Sequence, residues 1–356
     1  MDTDKHRSDP ESQKPELRNQ FLFASLRLCV LVLLFVSGAS SQWIKQTVNT
    51  TASLRGLSVV NEKVVWASGT GGTVIKTIDG GKTWKVMTVP GAEKLDFRDI
   101  EAFDANTAYI LSIGNGESSR IYRTADGGKT WNLRFKNADP NAFFDAIACW
   151  YINRCIAMSD PVNEKFPILA VTGGGTGLTA TTVESLLATK GEAAFAASGT
   201  CLIAQGDSMA FLVSGGSSAR VFRTSDRGFT WNAASTPVAS GTPGSGIFSI
   251  AMIDAKNGVI VGGNYEKPEE AKDNLAFTSD GGETWKLGTG LSGYRSAVAY
   301  IDAKTLIAVG TNGTDMSYDG GKIWTKTDNE DLNAVAAKGK KAVWAVGPKG
   351  LVVKLK

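Results

Sequence analysis

Three arginines stand in matching phrases along the chain: Arg55 in LRGL, Arg98 in FRDI and Arg295 in YRSA. Guanidinium groups brought together hold carboxylates and other anions through paired, charge-assisted hydrogen bonds. Asp145 holds the corresponding place in a fourth phrase, FFDAI, and the connections expected beside these phrases carry Arg120, Asp160, Glu192, Arg220, Tyr265 and Tyr294. Three readings fit such a set: an anion-binding or partner-binding rim, a solvated rim held by neighbours such as Asp99 and Asp145, and glycoside hydrolysis by carboxylates. Other chemistries fall away. The one histidine is His6, so the chain beyond residue 41 has no Ser-His-Asp or Cys-His catalysis and no histidine general base. It also lacks the usual ligands of zinc and non-haem iron sites, and no metal is expected. The run GGGTGL at 173–178 has the look of a dinucleotide loop, but it lies inside a β repeat without a βαβ setting. No cofactor is expected there, and no site supports an oxidoreductase.

Repetition is what could bring residues so far apart to one place. TIDGGKTW, ending at Trp84, returns as TADGGKTW ending at Trp131, TSDRGFTW at Trp231, TSDGGETW at Trp285 and SYDGGKIW at Trp324. One active site needs one motif, so five spaced copies point to architecture. The intervals between the tryptophans are 47, 100, 54 and 39 residues, and the interval of 100 holds a decayed box, VTGGGTGL, with Gly173 in the Asp place and Leu178 in the Trp place. Each box follows an apolar strand, a polar turn, a second apolar strand ending in Gly, a loop and a third strand. The last such unit, LNAVAAKGKKAVWAVGPKGLVVKLK, stops before its box, while QWIKQTV at 42–48 resembles a strand that follows one. Trp43, Trp84, Trp131, Leu178, Trp231, Trp285 and Trp324 therefore mark seven fourth strands at 45 residues per unit. The expected fold is all-β, a seven-bladed propeller of four-stranded antiparallel blades closed by pairing of the N-terminal and C-terminal strands. Strand polarity puts the start of each first strand and each loop between second and third strands on one rim, opposite the boxes. The insertions at 184–200 and 264–274 fall on that same rim.

The phrase S/T-x-D-G-G-x-T-W resembles the Asp box of sialidase-like (BNR-repeat) propellers, and the resemblance covers the whole of 42–356. Asp79, Asp126, Asp226, Asp280 and Asp319 are expected to accept bonds from the backbone of their own turns, with the Gly pairs at positive φ and each Trp packed between blades. Among such propellers the chain is most similar to the photosystem II assembly and stability factors. That resemblance implies seven blades, an export signal, no hydrolase residues, and a non-catalytic scaffold binding a protein or protein-cofactor assembly, a membrane-protein assembly included. The sialidase branch implies the alternative: a carbohydrate-binding or glycoside-hydrolysing propeller with three arginines on the sugar carboxylate. Its Phe/Tyr-Arg-Ile-Pro signature is absent, and no Tyr/Glu nucleophile pair can be placed by motif.

Residues 1–41 differ in texture from the rest. A polar stretch with Arg18 and Arg27 leads into LCVLVLLFV at 28–36 and then SGASS, the pattern of a secretory signal peptide, either cleaved or kept as an anchor. Either way the body is expected to be exported. With 42% apolar and 21% charged residues the whole chain has the composition of a soluble globular protein, expected to be a monomer, and a net charge of +3 with no Lys/Arg block argues against nucleic acid. Cys149 and Cys155 flank the turn WYINR, a spacing that allows a cross-strand disulfide in an oxidising compartment. Cys201 is left as a packing thiol.

Overall fold

A computed structural model of the protein describes residues 42–173, 179–182 and 186–356. The leader at 1–41 and most of the decayed sixth box, 174–178, lie outside the described residues. Seven antiparallel blade sheets follow one another along the chain, as the repeat count requires; six have four strands, and that of blade 5 is extended to six by the short strands Glu192–Ala193 and Gly215–Gly216. Their first strands are Leu54–Val59, Phe97–Ala102, Phe144–Tyr151, Leu202–Gln205, Ser245–Met252, Ala297–Tyr300 and Ala334–Ala337, which open blades 1 to 7. Successive first strands lie against one another around a common axis, and that of blade 7 meets that of blade 1. No helix among the described residues is long and apolar enough to cross a membrane.

The ring closes as the sequence predicts. Trp43–Lys45 lies antiparallel to Val352–Leu355, with Trp43 opposite Leu355 and Lys45 opposite Val353, and forms the outer strand of blade 7. Trp43 is 4% exposed, and its Nε1 donates to Thr314 Oγ1 of blade 6 at 3.2 Å. Blade 3 is stapled at one end, where Cys149 and Cys155 face each other on adjacent strands and are joined by a disulfide.

The boxes behave as turn locks. Asp126 accepts the Thr130 N–H at 2.9 Å, the Lys129 N–H at 3.0 Å and the Thr130 hydroxyl at 2.6 Å. Asp79, Asp226 and Asp280 repeat the bonds to the threonine four residues on, and Asp319 holds the N–H groups of Lys322 and Ile323. Box tryptophans then wedge against the preceding blade: Trp84 meets Trp344 edge-on at 5.6 Å, and Trp131 meets Trp66 at 6.5 Å.

These hydrogen bonds hold the carboxyls of Asp79 and Asp126 down to about 2, chiefly through the threonine hydroxyl; at Asp226 the bonds from Thr230 and Thr224 outweigh opposing burial, also to about 2. A folded-state value below the unfolded one means stability that is present above about pH 4 and lost as pH falls toward 2. We expect the unfolding midpoint to drop across that window, and Asp126→Asn to lower it at neutral pH while making the acid limb shallower. An acid limb identical to that of the wild type would contradict the box assignment.

Candidate partner-binding site at the channel mouth

The ends of the first strands opposite the boxes surround a cavity of about 510 Å³ at the mouth of the central channel. One local device recurs in its wall. In blades 1, 2, 3 and 5 the first strand slips register against the second just after its start, between Leu54 and Gly56, Phe97 and Asp99, Phe144 and Ala146, and Ile247 and Ser249. The residues inside these bulges are Arg55, Arg98, Asp145 and Phe248, and all four line the cavity. A bulge re-aims one side chain and ends regular pairing, so each blade turns a chosen residue toward the axis.

The insertion ahead of blade 4 crosses this mouth. Ala193 to Ala197 line the cavity, and side chains from several blades grip their backbone. Arg55 Nη1 donates to the Ala197 carbonyl at 3.1 Å and Arg98 Nη1 to that of Ala196 at 3.2 Å. Asp160 Oδ1 accepts the Ala194 N–H at 2.8 Å. Phe195 stacks on Phe248 with centroids 3.9 Å apart, and Tyr294 meets Phe248 edge-on at 4.7 Å. Tyr265, 49% exposed, completes the aromatic wall at the solvent side. The path needs Gly199 at φ +78°, since a Cβ there would stand on the Asp99 carboxylate.

Charge at the mouth is mixed and partly desolvated. Burial, then the neighbouring Arg98, lowers the Arg55 guanidinium from its ordinary value. Arg98 is bridged through Nε to Asp96 Oδ2 at 2.8 Å. Burial pushes Asp160 up to about 6 and Asp99 to about 7, the latter although it accepts the N–H groups of Ile100 and Ile147. Asp145 is raised well above the carboxylate range by burial and then by Asp160.

Arg55, Arg98, Asp145, Asp160, Tyr265 and Tyr294 thus meet at one mouth, whereas four residues expected with them do not. Arg295 is fully buried and ion-paired with Asp315 in the interior of blade 6. Blade 6 has no bulge at this point and its first strand begins only at Ala297, so Tyr294, not Arg295, reaches the cavity. Arg220 and Glu192 grip each other, with Arg220 Nε 2.9 Å from Glu192 Oε1, and anchor the insertion to blade 4. Arg120 donates to the Glu117 carbonyl at 2.6 Å, away from the mouth. Phe195 and Phe248 were not anticipated, although IFSI aligns with LRGL, FRDI and FDAI and puts Phe248 in the arginine place.

Residues 36–142, which include blades 1 and 2, match the family model of the Photosynthesis system II assembly factor YCF48. No curated protein matches the sequence. Among solved structures, YCF48 bound to D1 peptide is 18% identical with a TM-score of 0.65, over 89% of this chain and 97% of that one. YCF48 from Cyanidioschyzon merolae is 18% identical with a TM-score of 0.62, over 89% and 99%. The RRP9 WD40 repeats reach a TM-score of 0.61 at 12% identity, over 87% and 96%, so the ring by itself does not select a function. The chain is a seven-bladed Asp-box propeller that resembles the photosystem II assembly factor family, in sequence through its first two blades and in fold around the ring.

Proposed function

We propose that the propeller is an exported, non-catalytic scaffold that captures a protein partner on the face bearing the channel mouth. The observation that carries this reading is the repeated bulge of blades 1 and 2, which aims Arg55 and Arg98 at one cavity where the insertion's backbone is already held. Adjacent guanidinium groups beside an aromatic wall suit an acidic segment with an apolar or aromatic side chain. The similarity to a propeller solved as YCF48 bound to D1 peptide supports a protein ligand. Residues 1–41, read as a secretory signal, supply the route out of the cytoplasm. A sialidase-like reading needs three converging arginines, and with Arg295 paired inside blade 6 only two reach the mouth.

Reversing both cations tests the proposal. Arg55→Glu with Arg98→Glu is expected to keep the β signature and to weaken capture of the native partner by about 2 kcal/mol or more, mainly through slower association. Charge reversal at Lys82 and Lys129, on the box turns, is expected to leave capture unchanged. Turnover of a fluorogenic sialoside that disappears in Arg55→Ala would overturn the scaffold reading.

A further inference from the structure

We propose that Asp145 and Asp160 form a receptor for a primary ammonium group at the channel mouth, next to the arginine pair. Asp145 is 1% exposed, yet the bulge of blade 3 turns it onto the cavity, where its Oδ2 has no hydrogen-bond partner. A buried carboxylate oxygen without a donor is costly, and so marks a place where a ligand's N–H is worth more than at the surface. Asp160 lines the same cavity from the loop after Arg154–Ser159, and its Oδ1 is engaged by the Ala194 N–H, which leaves Oδ2 for a ligand.

The groups facing this pair offset its charge only in part, through the Arg98 guanidinium beside Asp145. Arg98 is the neighbouring cation, but its Nε is on Asp96 and its Nη1 on the Ala196 carbonyl. Asp99 is itself acidic and already holds two backbone N–H groups. Cys201 lies near all three carboxyls, and burial followed by those charges pushes its thiol up, so it stays neutral. After burial, the neighbouring Asp160 raises the affinity of Asp145 for a proton, as a like charge does where no cation is bound. An ammonium fits better than a metal ion, since two carboxylates supply too few oxygens for a calcium shell and no group of three or more ligating side chains exists among the described residues. The site is a property of the cavity and stands whether or not the face captures a protein.

The test is a titration of the folded protein with n-propylammonium chloride, followed through the Ala194 amide by NMR, with tetramethylammonium chloride at equal ionic strength as the control lacking N–H donors. A saturable shift is expected with propylammonium alone, tightening as pH rises from about 5 to about 8 through the range in which Asp160 ionises. Asp145→Asn and Asp160→Asn should each weaken it about tenfold. Asp160→Asn keeps an oxygen for the Ala194 N–H, so it decides the matter if Asp145→Asn fails to fold. Two hexapeptides then separate the sources: an acetylated one with a single lysine, and a lysine-free one with a free N-terminus. Binding of either assigns the ammonium to a protein chain, and binding of propylammonium alone assigns it to free amines. No saturable shift, equal response to the tetramethyl control, or unchanged affinity in Asp160→Asn would overturn the proposal.

Discussion

Removal of residues 42–48 is expected to cost the propeller about 5 kcal/mol, more than any single substitution on its surface. The strand Trp43–Lys45 is the only outer strand of blade 7 and comes from the opposite end of the described chain. Its loss takes away the burial of Trp43, a change that for a large buried aromatic costs about 3–5 kcal/mol on its own. The ladder partners Val353 and Leu355 are left on an open edge, and the Lys45 ion pair with Glu330 at 2.8 Å disappears as well. Unfolding of 42–356 against 49–356 in denaturant reads the effect. Coincident midpoints would show that the ring does not depend on this closure.

Arg295→Ala is expected to destabilise the fold by about 3–5 kcal/mol, because it strands a buried carboxylate. Arg295 Nε lies 2.9 Å from Asp315 Oδ2, and both side chains are fully buried. The same carboxylate accepts the backbone N–H and the hydroxyl of Ser292, each at 2.9 Å, while Arg295 also donates to Asn312 and to the Tyr294 carbonyl. The network ties the loop ahead of blade 6 to its third strand, just behind the cavity wall. Removing both partners should therefore cost less than the sum of the two single changes, since neither charge is then left alone. A double-mutant cycle on stability checks this, and strict additivity would contradict it. Folded Arg295→Ala should still capture the partner, because the mouth cations are Arg55 and Arg98.

The ring was legible because its signal is repeated: a box that locks a turn with one carboxylate recurs in five of the seven blades, and its spacing marks the other two. Strand polarity then fixed the rim, and it put Arg55, Arg98, Asp145 and Asp160 together correctly. It failed for Arg295 because equivalence of sequence phrase is not equivalence of backbone. The bulge that turns Arg55 inward is missing in blade 6, and Asp315 offers a buried partner instead. Arg220 and Glu192 were both placed on the rim without their mutual pairing, which depends on where the insertion folds back. That insertion carries Phe195, whose position is set by Arg55, Arg98, Asp160 and Phe248 from four blades; no local pattern encodes such a set of contacts.

The central claim is that a protein partner docks on the channel-mouth face. A photo-crosslinking residue placed at Tyr265, exposed beside the cavity, and another at Ile78, exposed on a box turn, compare the two faces within the native compartment. The account predicts one discrete crosslinked partner from the Tyr265 position, reduced when Arg55 and Arg98 are reversed, and none from Ile78. A partner captured from Ile78 alone would contradict it and place the functional face on the boxes.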